Sequence, residues 1–132
     1  MSKSETMEIK KSDDIVNARQ MVRRVAVEMG FSLVDQTKLV TATSELARNT
    51  YEHGGGGEMT LQTVNQGTRR GIKLVFTDNG PGISDIEQAL KDGYTTAGGF
   101  GLGLSGSRRL VNDFDIVSKP GKGTTITITR WK

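Results

Sequence analysis

The sequence contains no cysteine and a single histidine, His53. The missing thiols exclude disulfides, zinc–thiolate sites and a thiol nucleophile, and a lone histidine excludes an all-histidine metal site. No apolar run reaches the length that spans a membrane. Acids and bases are interspersed to a net charge of +3, without the basic stripe that is typical of nucleic-acid binding. We therefore expect a cytoplasmic protein that binds neither membrane nor nucleic acid.

The spacing of apolar residues predicts the fold class. Apolar residues recur three and four apart in residues 12–30, 32–53 and 105–114, which predicts three helices. Ser12 and Ser32 are the expected N-caps of the first two, and Gly30 is expected to end the first in the C′ position. Alternation predicts strands at residues 7–10, 59–65, 72–77, 115–118 and 124–131. We expect an α+β two-layer sandwich, in which three main helices cover one face of a mixed, mostly antiparallel sheet. Residues 1–132 fit one domain with a flexible start at 1–6.

The strand at residues 72–77 leads into Asp78 and a Gly-Pro-Gly turn, which is the first candidate binding feature. Pro81 suits position i+1 of a turn, and Gly82 suits position i+2, where positive φ is needed. A carboxylate at a strand end, beside backbone without side chains, can accept a hydrogen bond from a flat ligand such as adenine. A plain turn with Asp78 as a turn former is the alternative interpretation.

The second candidate feature lies on the second helix, where Glu45 and Asn49 are one turn apart on the same face. A carboxylate and a carboxamide at this spacing can share one hydrated cation, and magnesium suits them because it keeps several waters. A polar pair on a solvated helix edge is the alternative. The neighbouring Ala42 and Leu46 favour a position close to the buried face.

Two glycine-rich segments complete the set. Glycines at 54–57 follow the second helix and are more than its end requires, which predicts a mobile joint. Residues 93–104 contain repeated glycines and run directly into a helix, whose free amides and dipole favour an anion. Thr95 and Thr96 add hydroxyl donors there. The segment lacks the Gly-Lys-Ser/Thr of a Walker loop and does not open a βαβ unit, so a phosphate-binding loop or a flexible linker are the two interpretations.

Four short motifs in this order resemble the GHKL (Bergerat-fold) ATPase and kinase superfamily. They are Glu45-x-x-x-Asn49, Asp78-x-Gly80-x-Gly82, the glycine alternation at 99, 101 and 103, and the Gly-x-Gly-Thr at 121–124. The sequence also resembles the RsbT-type serine/threonine kinases of bacterial stressosomes, which are related to anti-sigma-factor kinases. This resemblance lies in residues 44–49, in residues 93–104 and in the end of the chain at Trp131. The similarity covers nearly the whole chain from Ile15 onwards.

The resemblance implies a role for each matching residue. Asn49 would be the protein ligand of a magnesium ion on the ATP phosphates, and Glu45 would be the general base or orient the attacking hydroxyl. Asp78 would hold the adenine amino group, and Arg48 would contact a phosphate or a partner, unless it is an ordinary exposed arginine. The implied nucleotide-binding set is Asn49, Asp78, Gly80, Gly82, Ile83, Thr95, Thr96, Gly98, Gly99, Phe100, Gly101, Leu102, Gly103, Leu104 and Thr124.

Two functions follow from the resemblance as expectations. The first is a kinase that uses ATP and Mg²⁺ to phosphorylate a STAS-domain partner in a stressosome-like complex, with a downstream phosphatase or other regulator and a homodimer as further partners. The second is a binding switch, in which the nucleotide state controls sequestration of a partner protein. A histidine kinase would need a helical hairpin with a phosphoacceptor histidine, and a gyrase-like ATPase would need a transducer domain.

We expect His53 to be a helix-end residue, whereas Arg108 and Arg109 suit either phosphate or partner contacts.

Overall fold

A computed structural model describes residues 4–83, 85–90 and 102–132. The described chain forms five strands and four helices, in the order β1 (Ser4–Ile9), α1 (Ser12–Glu28), α2 (Leu33–Glu52), β2 (Gly57–Gln66), β3 (Arg69–Asp78), α3 (Ile86–Ala89), α4 (Leu102–Arg109), β4 (Asp113–Lys119) and β5 (Gly123–Trp131). Within these ranges no helix is long and apolar enough to cross a membrane.

The strands form one sheet in the order β1-β2-β3-β5-β4. The sequence predicted a mixed, mostly antiparallel sheet, but all four pairings in the described chain are antiparallel. Side chains alternate between the two faces of a strand. On β3, Ile72, Leu74 and Phe76 are buried in the same core as Ala18 and Val22 of α1, which places the helices over that face. The predicted α+β sandwich is thereby confirmed.

The start of the chain differs from the prediction. Residues 4–6 were expected to be flexible, but they belong to β1, where Thr6 is paired with Thr60 of β2. Their hydroxyl oxygens lie 3.1 Å apart. Glu5 is bound by Arg24 of α1, with 3.1 Å between the carboxylate and guanidinium. Pairing with β2 therefore extends the strand beyond its short apolar pattern.

The helix caps agree with the sequence within one residue. Helix α1 begins at Ser12, with Lys11 rather than Ser12 as the N-cap, because the Asp14 carboxylate accepts from the backbone N–H of Lys11 at 3.2 Å. The helix ends at Glu28, and Gly30 takes the predicted C′ position, where its φ of 81° allows Phe31 to donate back to Ala26 O at 3.0 Å. Ser32 caps α2 and accepts from Asp35 N at 3.1 Å.

The glycines at 54–57 have packing roles in place of the predicted mobile joint. A Cβ on Gly54 would lie 2.4 Å from Asp78 Cγ, and one on Gly57 would lie 2.0 Å from Thr77 O. Gly55 and Gly56 adopt φ of 74° and 105°. Glycine is thus required for close approach at both ends of the run and for positive φ between them. The run brings the end of α2 directly against the end of β3.

Helix α4 also differs from its predicted span of 105–114. It begins at Leu102 and ends at Arg109. Its end is earlier because Asn112 N already bonds to Thr129 O at 3.0 Å, and Phe114 pairs with Ile128 as part of β4. Leu110 and Val111 are partly buried against the core.

Arg130 links the sheet to the first turn of α2 through an ion pair and to the residue that follows α4 through a hydrogen bond. Arg130 of β5 binds the Asp35 carboxylate at 2.5 Å and the backbone O of Leu110 at 2.9 Å. The two charged side chains are 15% and 26% exposed. The hydrogen bond from Arg130 is the main reason that the pKa of Asp35 lies below its usual 3.8.

This ion pair predicts an acid-dependent stability. Because the folded state lowers the pKa of Asp35, the contribution is complete above about pH 4 and is lost as the pH falls through that lowered pKa. We expect Asp35→Asn to lower the free energy of unfolding by about 1–3 kcal/mol at neutral pH, and by much less at about pH 2. Urea unfolding at both pH values measures it, with Asp13→Asn, an exposed first-turn aspartate, as the control. An equal loss at both pH values would contradict the assignment.

Candidate active site

Asp78, Thr124 and Ser118 lie side by side across three strands. Asp78 is the register partner of Thr124, and Thr124 is the register partner of Ser118, so the three side chains share the helix-covered face. Asp78 is 8% exposed and accepts the N–H of Gly80 through Oδ1 at 2.9 Å. Its Oδ2 has no hydrogen bond to any residue that the structure describes. These three side chains form the Asp78 row, which therefore offers a carboxylate oxygen without a described partner beside a hydroxyl.

The Gly-Pro-Gly turn is held from two sides. Gly82 has the predicted positive φ, at 77°, and a Cβ there would lie 2.2 Å from Lys119 O. A Cβ on Gly80 would lie 2.7 Å from Gly54 Cα. His53 caps the end of α2, as predicted, and its Nε2 lies 3.2 Å from Gly82 O. The turn is thus fixed between the end of α2 and the β4–β5 hairpin.

Glu45 and Asn49 share one face of α2, as the spacing predicted. The Nδ2 atom of Asn49 is buried and has no partner in the described part of the chain. Glu45 is 35% exposed, and its Oε1 lies 3.3 Å from the guanidinium of the 49% exposed Arg48. A surface ion pair of this kind contributes about 0–1 kcal/mol. Glu45 and Asn49 therefore combine an accessible carboxylate with a buried amide nitrogen that has no described partner.

The residues fit a magnesium ion that is bound mainly by phosphates and water. The unpaired Nδ2 of Asn49 is a donor that a phosphate oxygen would satisfy, whereas the amide Oδ1 is the atom that could bind the cation. Magnesium needs only one or two protein oxygens in such sites. Across residues 4–83, 85–90 and 102–132, no group of three acidic or histidine side chains could hold a metal without such help.

The end of α2 joins the two halves of the site. The backbone O of Asn49 accepts from the N–H groups of both His53 and Gly54, at 3.0 and 3.1 Å. Gly54 in turn approaches Asp78 so closely that no side chain fits between them. The amide on α2 and the carboxylate on β3 are consequently held by one continuous stretch of backbone.

A hollow of about 290 Å³ lies between α1 and α2 and includes Glu45 in its wall. Two arginines of α1 and a row of hydroxyl-bearing residues of α2 form most of its lining. The lining residues are Arg19, Arg23, Thr37, Val40, Thr41, Ser44 and Glu45. The carboxylate of Glu45 is therefore reachable from the surface between the two helices.

Most of the predicted glycine loop lies outside the described residues, namely Thr95, Thr96, Gly98, Gly99, Phe100 and Gly101. Leu102 and Gly103 form the start of α4. Leu104 is fully buried, and its contact with nucleotide stays a prediction. Ile83 is buried, and Arg108 and Arg109 lie exposed in the last turn of α4.

Ser118 and the contact between His53 and Gly82 were not predicted from the sequence. Ser118 Oγ accepts the N–H of Ile83 at 2.7 Å and lies 2.7 Å from Thr124 Oγ1. The alternation of β4 carries the signal, because Ser118 has the same parity as Phe114 and Ile116, which pack against the core. A serine on the core side of a strand needs a partner.

The antiparallel sheet with one helical layer, the strand-end aspartate over glycines and the helical Glu45–Asn49 pair define the class of an ATP-binding domain. Residues 34–132 match the model of the histidine kinase-, DNA gyrase B- and HSP90-like ATPases. The chain belongs to this family, as the motifs predicted.

Relatives and solved structures agree with the family. The chain is 46% identical to the serine/threonine-protein kinase RsbT of Bacillus subtilis, over 89% of both chains. It is 28% identical to an anti-sigma F factor of a Thermoanaerobacter species, over 93% of this chain and 89% of that protein. Its fold is similar to the RsbU and RsbW domains of a Mycobacterium tuberculosis protein, with a TM-score of 0.64, 20% identity, and coverage of all of this chain and 33% of that one. The catalytic domain of histidine kinase ThkA aligns with a TM-score of 0.56 at 18% identity, over 97% of this chain and 98% of that one.

Proposed function

We propose that the chain is an ATP-dependent serine/threonine-protein kinase of a bacterial partner-switching system. The observation that carries this function is the junction at Gly54, which places the Glu45–Asn49 helix directly against the Asp78 strand end. A single site then holds the Asp78 carboxylate for the adenine ring, the Asn49 amide for a metal ion and the Glu45 carboxylate for proton transfer. The 46% identity to a serine/threonine-protein kinase supports the same activity.

The residues divide the reaction between them. Asp78 accepts a hydrogen bond from the amino group of adenine, and Thr124 contacts the same ring. Asn49 would hold Mg²⁺ through its Oδ1, and the bound ion would neutralise phosphate charge. Glu45 accepts the proton of a serine or threonine hydroxyl. As that proton leaves, the hydroxyl oxygen bonds to the γ-phosphorus, the bond from that phosphorus to the β–γ bridging oxygen breaks, and ADP departs. The glycines at 99, 101 and 103, with Thr95 and Thr96, are proposed to contact the phosphates.

We place the entry of the protein substrate at the hollow between α1 and α2. Glu45 is the only one of the three proposed site residues Glu45, Asn49 and Asp78 that lines it. A hydroxyl that enters from this side meets Glu45 first and competes with Arg48 for Glu45 Oε1. That oxygen lies 3.3 Å from the Arg48 guanidinium in the chain without a partner. Arg48 is thereby free to contact a phosphate or the partner once the hydroxyl is bound.

The partner is proposed to be a STAS-domain protein of a stressosome-like complex in the cytoplasm. Phosphorylation releases the kinase, which then acts on a downstream phosphatase or other regulator. The similarity to kinases and anti-sigma factors of partner-switching systems supports this order. A homodimer is a further proposal, because β1 is an edge strand and Val16 and Val27 of α1 are exposed. Sedimentation velocity of the purified chain measures whether it is a monomer or a dimer.

A binding switch is the second candidate, and the similarity to anti-sigma F factors favours it. In that function the nucleotide state alone controls capture of the partner. Transfer from ATP labelled at the γ-phosphate to STAS-domain proteins of the same organism tests the kinase, and we expect label on serine or threonine. A non-hydrolysable ATP analogue separates the two functions, since partner release then stops for the kinase and continues for the switch. Absence of label on every STAS partner would contradict the kinase.

A further inference from the structure

We propose that His53 is a positioning residue that fixes the proposed magnesium ligand Asn49 relative to the turn of the proposed adenine pocket. This inference rests on the proposed function, because it concerns how the two halves of that site act on one nucleotide. Asn49 lies on α2, whereas the turn at residues 80–82 follows β3. The imidazole of His53 extends from the end of α2 to this turn, where its Nε2 lies 3.2 Å from Gly82 O.

The chemistry of the two groups determines the direction of this hydrogen bond. A carbonyl oxygen can only accept, so the contact with Gly82 O requires a proton on Nε2 of His53. The imidazolium and the neutral tautomer with its proton on Nε2 both meet this requirement. The tautomer with its proton on Nδ1 would instead bring two lone pairs together. His53 therefore donates from the end of α2 to the turn.

On the helix side, the backbone holds His53 close to Asn49. Asn49 O accepts from the N–H of His53 at 3.0 Å and from the N–H of Gly54 at 3.1 Å, so one carbonyl binds two successive peptide groups. The side chains of Asn49 and His53 are four residues apart and share one face of the helix end. A movement of the turn relative to His53 is consequently a movement relative to Asn49.

On the other side, further hydrogen bonds attach the turn to the β4–β5 hairpin. Pro81 O and Ile83 N are each bonded to that hairpin at 2.7 Å. Gly80 also packs against Gly54 of the helix end, but packing limits how near two segments come without setting their orientation. A hydrogen bond is directional and weakens steeply when it bends. The bond from His53 therefore supplies an orientation between the turn and α2 that close packing alone does not.

In the proposed function a nucleotide spans this joint, with its base beside Asp78 and its phosphates beside Asn49. A ligand that is held at two points gains most from the second contact when both points are already in place. Without the His53 donor, the turn and Asp78 stay attached to the sheet, but Asn49 is no longer held at a fixed orientation to them. The part of ADP binding that depends on magnesium should therefore depend on His53.

The test measures ADP binding by calorimetry with magnesium and with a chelator, and takes the ratio of the two dissociation constants as the magnesium gain. We expect a gain of about tenfold in the wild type and about twofold in His53→Leu, a difference that corresponds to about one hydrogen bond. His53→Gln places an N–H group near the position of Nε2 and should keep the wild-type gain. Glu52→Leu, a change to leucine at the exposed neighbouring position, is the control and should also keep it.

The magnesium gain separates positioning from general loosening, because a structural defect weakens ADP binding with and without magnesium alike. An unchanged gain in His53→Leu would overturn the inference, and so would a loss in His53→Gln as large as that in His53→Leu. No ADP binding by the wild type would refute the proposed function together with this inference. ADP binding with an unchanged gain in His53→Leu refutes the inference alone.

A second measurement needs no nucleotide. His53 is the single histidine of the chain, so ¹⁵N NMR reports on its two ring nitrogens without interference from another imidazole. At about pH 9, where free imidazole is neutral, we expect the proton on Nε2. A proton on Nδ1 would overturn the inference even if the protein binds ATP as proposed.

Discussion

Glu45→Gln is expected to bind ATP within about threefold of the wild type and to transfer phosphate to its partner at least about 100-fold more slowly. The carboxamide keeps the size of the side chain but cannot accept a proton from the attacking hydroxyl, and a positioned general base contributes about 10²–10⁴-fold to such a rate. Binding is spared because Glu45 lies in the hollow between α1 and α2, away from the Asp78 row. Single-turnover transfer, with ATP saturating, measures the chemical step.

The control for this prediction is Glu52→Gln, the same chemical change at an exposed position two turns further along α2. It should leave both binding and transfer unchanged. Arg48→Ala tests the neighbouring contact, since it frees Glu45 of its ion pair at the cost of about 0–1 kcal/mol in stability. If Glu45→Gln transfers phosphate at the wild-type rate, Glu45 is not the base.

The elements of the fold were predictable where local pattern and tertiary contact agree. The caps at Ser32 and Gly30 were found from residue type alone, because each performs a local backbone task. Helix α4 was misplaced for the opposite reason. Gly103 is a poor helix former, so the sequence favoured a later start, but burial of Leu104 and packing of α4 against α2 stabilise the earlier turn.

The candidate site was predictable as single residues and not as an arrangement. The spacing of Glu45 and Asn49 determines their common face, but only the structure shows that the Asn49 Nδ2 atom is buried without a partner among the described residues. The glycines that follow α2 gave the wrong prediction, because a run of glycine looks the same whether it provides freedom or close approach. Contact between Gly54 and Asp78 depends on residues 24 positions apart in sequence, which local pattern does not report.

Ser118 illustrates the same limit from the other side. Its parity on β4 indicates a side chain on the core face, yet the partners that explain it are Ile83 and Thr124, which belong to a loop and to another strand. Register across β4 and β5 is needed to place the hydroxyl, and register follows from the pairing of whole strands. Polar residues with core-face parity are therefore the positions where a structure adds most to the reading of such a site.

Asp78→Asn is expected to weaken binding of both ATP and ADP by about 10- to 100-fold. Asparagine has the same size, so Gly54 can keep its close approach, and its carboxamide oxygen can still accept from Gly80 N as Asp78 Oδ1 does at 2.9 Å. Its NH₂ group then takes the place of Oδ2 and points a donor at the amino group of adenine. The lost hydrogen bond to a charged acceptor is worth about 1.5–3 kcal/mol, which gives the expected range.

Calorimetry with and without magnesium checks the result and separates the two halves of the site. The loss in Asp78→Asn should be the same in both conditions, because Asp78 meets the base and not the phosphates, whereas Asn49→Ala should weaken binding only when magnesium is present. Asp115→Asn, an exposed aspartate on β4, is the matched control and should bind as the wild type does. Unchanged binding in Asp78→Asn would return the Gly-Pro-Gly segment to the role of a plain turn. A loss that appears only with magnesium would instead place the phosphates, and not the base, beside Asp78.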